Sequence, residues 1–237
     1  MLLEAHDLSK TFKTGWLKKR KLCAVAKASL HLQQGETIGI VGESGSGKTT
    51  LGLMLAGLLK PDTGQIFFKG KNIADLSPWE RNTYRRQMQM VFQHPETTFN
   101  PKWKLQRSMV EPFCLHKIPF SEEMISEQLE RVGLSSNVLN RYPVQLSGGE
   151  LQRAAIARVM SQDPAIVVLD EPTSMLDAIT QAQIIRLLEK IRKQEGVSYL
   201  FISHALDLVR LFCKKIYELK RGILRLLEGG RDKGKMI

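Results

Sequence analysis

The sequence predicts an α/β fold: a mostly parallel sheet covered by helices, with an antiparallel β beginning and an inserted helical segment. Three observations predict it. A short apolar run at residues 37–41 passes through glycines into a helical pattern at 49–59. Two further apolar runs, at 166–169 and 198–202, flank a helix at about 179–194, the strand–helix–strand alternation of a parallel sheet. Between these regions, residues 94–159 carry a helical pattern broken by prolines and glycines.

Taken in order, alternating apolar residues at 2–8 predict an edge strand, and Gly15-Trp16-Leu17-Lys18-Lys19-Arg20-Lys21 an exposed loop. A second strand follows at 24–32, which makes this beginning antiparallel. The strand at 37–41 feeds the first helix, closed by Lys60-Pro61. Residues 65–70 read as a strand and turn, and 88–92 as a strand ending at Gln93. Ser121-Glu122-Glu123-Met124 has the hydroxyl and acids of a helix start. The expected organisation is one domain over 1–237: a core from 1–93 and 160–225, a helical subdomain at 94–159, and a basic tail at 226–237.

The 237 residues suffice for one substantial core but not for a tandem duplication of it. A hydrophobic content of 43% with 25% charged residues is that of an ordinary soluble globular protein. No apolar run approaches the roughly 20 residues needed to span a bilayer. The first residues show no basic region followed by an apolar stretch, so no signal peptide is expected. Cys23, Cys114 and Cys213 lie far apart, without the close spacing of a metal knuckle or redox pair, and read as structural. The net charge of +11 suits either nucleic acid or an anionic membrane surface. Much of the excess is local, at residues 10–21 and in the tail, which favours the membrane surface.

Gly42-Glu43-Ser44-Gly45-Ser46-Gly47-Lys48-Thr49 fits G-x-x-x-x-G-K-[ST] between a strand and a helix, the context that such a phosphate loop requires. Glycines let backbone amides converge on phosphates, and the helix N-terminus adds positive potential. Lys48 reaches the β- and γ-phosphates, and the Thr49 hydroxyl can ligate Mg²⁺. The candidate phosphate set is Gly42, Ser44, Gly45, Ser46, Gly47, Lys48, Thr49 and Thr50. At the exit of the strand at 166–169 stand Asp170 and Glu171, where an α/β sheet places its ligands. Asp170 is the candidate to hold Mg²⁺ through water, and Glu171 the general base for an attacking water.

Leu146-Ser147-Gly148-Gly149-Glu150 precedes a helical run, offering a hydroxyl, exposed amides and a helix dipole as a second anion site. Here the chain resembles the ATP-binding-cassette family, and the resemblance covers essentially its whole length. It implies a P-loop NTPase cassette with a RecA-like core and ATP with Mg²⁺ as cofactors. It also implies two subunits packed head to tail, so that Ser147, Gly148, Gly149 and Glu150 close over ATP held by the other subunit. By the same resemblance Phe12 stacks on adenine, with Trp16 as a rival. Gln93 contacts Mg²⁺ and the attacking water, Asp177 lies at the dimer interface, and His204 touches the γ-phosphate. The catalytic set is thus Glu171, His204 and Gln93, and the metal set Thr49, Gln93 and Asp170. One departure stands out: Ala205 follows the histidine where the family often has Asp.

The run from Met88 through Gln93-His94-Pro95-Glu96 to Pro101 looks like that of importers for dipeptides, oligopeptides, nickel and metal chelates. Pro172-Thr173-Ser174-Met175-Leu176-Asp177 points the same way. The implied partners are a related, non-identical ATPase, two transmembrane permease subunits and an extracytoplasmic solute-binding protein, with no nucleic acid. The implied place is peripheral, on the cytoplasmic face of the cell membrane. Ending soon after Gly222, the chain leans toward the nickel and chelate members. An exporter ATPase, or a soluble cassette acting on nucleic acid, are the alternatives.

Overall fold

A computed structural model describes residues 1–14 and 20–227. Its strands form a ten-stranded array whose order places the antiparallel N-terminal strands on one side and parallel strands on the other. The parallel part consists of β3 (Thr37–Val41), β6 (Met88–Val91), β7 (Ile166–Asp170), β8 (Ser198–Ser203) and β9 (Lys215–Lys220). Every residue of β3, β7 and β8 is buried, as expected for strands covered by helices on both faces. Tyr199 and Phe201 are among the largest fully buried side chains, and burial of a side chain such as Phe201 contributes about 1.5–3 kcal/mol.

The antiparallel part joins β1 (Leu3–Thr14) to β2 (Arg20–Leu32) and to β4 (Thr63–Phe68), with a short β5 (Lys71–Asn72) beyond. Two expectations are corrected here. The first strand is not an edge: it is paired on both sides, and cross-strand pairing carries it well past Leu8, where its alternation fades. The loop of 15–21 is shorter than expected, since Arg20 and Lys21 pair within β2; Trp16 and the rest of that loop lie outside the described residues. The basic tail from 228 onward does too.

α1 (Lys48–Leu55) stops earlier than the expected Leu59, because Gly57 turns with φ +70° against the Tyr84 ring. α2 (Pro78–Gln87) has no counterpart in the periodicity of the sequence, since Tyr84 alone is buried. Its start is written in Ser77 and Glu80, which form a reciprocal capping box with Pro78 at the first position. Residues 94–159 hold α3 (Leu105–His116), α4 (Glu122–Arg131) and most of α5 (Gly148–Met160). Ser121 caps α4 as expected, accepting from the Met124 amide. The apolar faces of these helices share one cluster with the sheet: Leu105, Met109 and Ile156 pack in the same body as Val167, Leu169 and Phe201. α6 (Ala178–Glu195) links β7 to β8, and α7 (Leu206–Phe212) precedes the β9–β10 hairpin, with β10 at Ile223–Leu227.

Candidate functional site

The run from β3 into α1 forms the site's floor. Gly47, with φ +104°, precedes Lys48 at the helix start, and a Cβ on Gly47 would stand 2.1 Å from the Ala24 carbonyl oxygen. Only glycine fits that position. Gly42 is equally confined, 2.3 Å from the Leu219 carbonyl oxygen by the same measure. Lys48 is 5% exposed and donates to the carbonyls of Gly42 (2.8 Å) and Glu43 (2.9 Å), so its ammonium is held over its own loop. The Ser46 hydroxyl is buried without a partner among the described residues.

Strand β7 delivers the two acids in different environments. Asp170 is 3% exposed, and burial raises its pKa above the ordinary aspartate value. A hydrogen bond with Thr49 opposes the rise, the Glu171 charge adds to it, and Lys48 opposes it. Asp170 Oδ1 has no hydrogen-bond partner among the described residues. Glu171 leaves the strand in the left-handed region (φ +47°), anchored by its amide to the Ile202 carbonyl at 2.9 Å. Such an outlier re-aims a side chain, and this one turns inward. His204 Nδ1 lies 2.9 Å from Glu171 Oε2, Gln93 Nε2 donates to the same oxygen at 3.4 Å, and Lys48 Nζ stands 3.9 Å from Oε1. The pairing with His204 forms although Ala205 follows it; the Ala205 amide donates to Ser203 Oγ.

These groups share a cleft of about 790 Å³. Its walls include Phe12, Ser44, Gly45, Ser46, Gly47, Lys48, Thr49, Thr50, Gln93, Glu171 and His204, all candidates from the sequence. Phe12 on this wall is 37% exposed, and Lys48, Glu171 and His204 stand together on the same cleft. Sequence reasoning missed Leu22, Cys23, Ala24, Arg221 and Gly222 on the same walls, and Ser174, which accepts from Gln93. Of the three cysteines read as structural, Cys213 is buried, whereas Cys23 and Cys114 are exposed, which does not fit that reading.

Ser147, Gly148, Gly149, Glu150 and Asp177 are not among the cleft's lining residues. Ser147 caps α5: its amide and hydroxyl donate to Glu150 Oε2, both at 2.8 Å, and its oxygen accepts from the Glu150 amide. The Ser147 amide, then its hydroxyl, hold the Glu150 pKa below the usual carboxylate value. Ser147 and Gly148 are exposed. Asp177 caps α6 and accepts from the Thr180 hydroxyl at 2.6 Å; that bond and the Thr180 amide lower its pKa. A second cleft, also about 790 Å³, runs between α2 and β6 on one side and α3 and α5 on the other, with Phe92, Thr97 and Thr98 on its wall.

The family description "ABC transporter" matches residues 25–174. The chain is 40% identical to the oligopeptide transport ATP-binding protein AppF of Bacillus subtilis (strain 168) over 98% of its length and 73% of that protein. It is 39% identical to the nickel import ATP-binding protein NikE of Escherichia coli O157:H7, over 93% of this chain and 84% of the other. Its structure resembles the dimeric post-hydrolysis state of the ATP-binding cassette MJ0796 bound to ADP and Pi. The TM-score is 0.82 at 29% identity, over 96% of this chain and 99% of that one.

Proposed function

The chain belongs to the ABC transporter family as an ATP-binding ATPase, and from that premise we propose that it powers import of nickel or metal chelates, or of di- and oligopeptides. The observation that carries the reading is a division within the chain. The cleft gathers Phe12, the phosphate loop, Gln93, Glu171 and His204, while the Ser147-Gly148-Gly149 helix start stays outside it. One chain thus presents an anion cradle and, elsewhere, a second set of amides and a helix dipole of the same chemistry.

In this reading ATP lies along the cleft with its base against Phe12 and its terminal phosphates under the α1 amides and Lys48. Glu171 takes the proton of the attacking water; Gln93 and His204 fix the carboxylate's orientation and mark where the terminal phosphate stands. Ser147, Gly148, Gly149 and Glu150 cover the ATP of a second, related ATPase subunit, and Asp177 meets it at the interface. Mg²⁺ fits beside Asp170: the buried, unpartnered Oδ1 supplies an acceptor, and the Thr49 hydroxyl is already bonded to that carboxyl. No cluster of three or more metal-binding side chains occurs among the described residues. When bound, Mg²⁺ neutralises charge on the phosphate chain.

The second cleft, beside Phe92, Thr97 and Thr98, supports docking of a short helix from a transmembrane permease subunit, next to β6, which ends at Val91 two residues before Gln93. Residues 94–159 then swing as a helical subdomain against the core of 1–93 and 160–225 when ATP joins the subunits. The complex is completed by two permease subunits and an extracytoplasmic solute-binding protein. No described helix is long and apolar enough to cross a membrane, and the chain sits peripherally on the cytoplasmic face in this assembly. The test is transport by the reconstituted complex, comparing nickel chelates with short peptides. ATP-dependent uptake of one class supports the reading, and uptake of neither refutes it.

A further inference from the structure

We propose that Arg221 is a nucleotide-binding residue that takes the phosphate chain at its nucleoside end. The inference rests on the nucleotide reading of the cleft. Arg221 and Gly222 are the two-residue turn between β9 and β10, where Lys220 pairs with Ile223. Both are left-handed, with φ +50° and +79°. That geometry is a type I′ turn, whose first position favours Asn, Asp or Gly; an arginine there costs about 1–2 kcal/mol relative to those residues. Lys69-Gly70, between β4 and β5, has the same left-handed pair of residues, but Lys69 donates to Gln87 Oε1 at 2.8 Å, whereas Arg221 has no such partner among the described residues.

The turn is clamped to the cleft. The Ala26 amide donates to the Gly222 carbonyl at 2.8 Å. A Cβ on Gly222 would stand 3.3 Å from the Ala24 carbonyl oxygen, the same oxygen that confines Gly47 at 2.1 Å. The hairpin turn and the last glycine of the phosphate loop therefore crowd one carbonyl, and Arg221 stands beside the loop's entry into α1. Leu22, which pairs with Phe12 across the sheet, lies two residues before Ala24 on β2, so the turn meets β2 next to the partner of Phe12 on one side and the phosphate loop on the other, and all of these residues line the cleft. Arg221 is exposed, lines the cleft, and its guanidinium has no hydrogen bond or ion pair among the described residues. Its cleft neighbours Leu22, Cys23, Ala24 and Gly47 carry no charge to hold it. A phosphate oxygen at that level gives the five-donor fork a charged acceptor, and the interaction is indifferent to which base is attached.

The test is nucleotide affinity of the full chain by titration calorimetry with ATP, ADP and GTP, for the wild type, Arg221→Asn and Arg221→Lys. Asn suits the turn, so Arg221→Asn retains or raises thermal stability while removing the cation. The expected result is a loss of about ten-fold in affinity in Arg221→Asn, equal for all three nucleotides, the size of one charge-assisted contact. The wild type also shows a steeper fall of affinity with salt than Arg221→Asn, and Arg221→Lys keeps most of the affinity. Unchanged affinity in Arg221→Asn overturns the proposal, and so does a loss confined to one base, which would place the guanidinium on the base edge. A wild type that binds no nucleotide removes the reading of the cleft itself, and the proposal with it.

Discussion

Replacing Glu171 by Gln isolates the base from everything else the cleft does. The carboxylate side chain is 13% exposed and held by three groups, His204 at 2.9 Å, Gln93 at 3.4 Å and Lys48 at 3.9 Å, on a backbone fixed in the left-handed region. Gln has the same shape, so the cleft keeps its form, and one negative charge leaves a site that must hold a polyanion. Nucleotide affinity is therefore unchanged or tighter. What disappears is the proton acceptor, and general bases contribute about 10²–10⁴-fold, or roughly 2.7–5.4 kcal/mol of barrier. The burial-raised pKa of Asp170 falls too, because the adjacent Glu171 charge is one of the causes of its rise. The assay is single-turnover phosphate release by the assembled complex, with affinity measured separately. Release slowed by at least about 100-fold at intact affinity is expected. Hydrolysis within roughly threefold of the wild type would refute the assignment of the base.

Gly47→Ala puts a methyl 2.1 Å from the Ala24 carbonyl oxygen at φ +104°; urea unfolding should show about 1–3 kcal/mol or more of lost stability, and calorimetry no nucleotide binding. Normal binding would mean that the loop tolerates a side chain there. Ser147→Ala removes the reciprocal cap of α5 and should cost about 1 kcal/mol in the same unfolding measurement, while leaving this chain's own nucleotide affinity intact, because Ser147 is not on the cleft wall. A weakened affinity in the isolated chain would contradict the division between cleft and signature. Glu80 is held down to about 2, first by Lys71 and then by the Ser77 amide and hydroxyl. Because its folded pKa is depressed, the stabilisation is present above the ordinary glutamate value of 4.5 and is lost as pH falls through about 2. An NMR titration should find its carboxyl still ionised after exposed glutamates have protonated, and titration alongside them would contradict the capping box.

The parallel core is legible because its signals are local. The strand at 37–41 matches its expected bounds to the residue, and α6 differs from expectation by one residue at each end. The candidate phosphate loop, acid pair and signature are contiguous runs of characteristic residue types, so they can be read without topology. Elements shaped by neighbours are harder. β1 extends past Leu8 only because β2 and β4 pair with it, and α1 ends before Leu58 and Leu59 because Gly57 meets Tyr84. α2 buries one side chain, so its periodicity is silent although Ser77, Pro78 and Glu80 spell its start. Arg221 leaves no local signal: it reaches the cleft through a hairpin whose position beside β2 emerges only in the folded sheet. Its neighbour Cys23, read as structural, is exposed on the same wall for the same reason.

In the proposed function this chain supplies one half of each ATP site. The measurement that tests it most directly is the structure of the assembled complex carrying Glu171→Gln, with ATP and Mg²⁺ bound. The expected result is ATP between Phe12, Lys48 and the substituted amide at position 171 of this chain on one side and the Ser-Gly-Gly helix start of the facing ATPase subunit on the other, with Ser147 of this chain over the other ATP. ATP enclosed by Lys48 and Ser147 of the same chain, or held with no second subunit against it, would contradict the account.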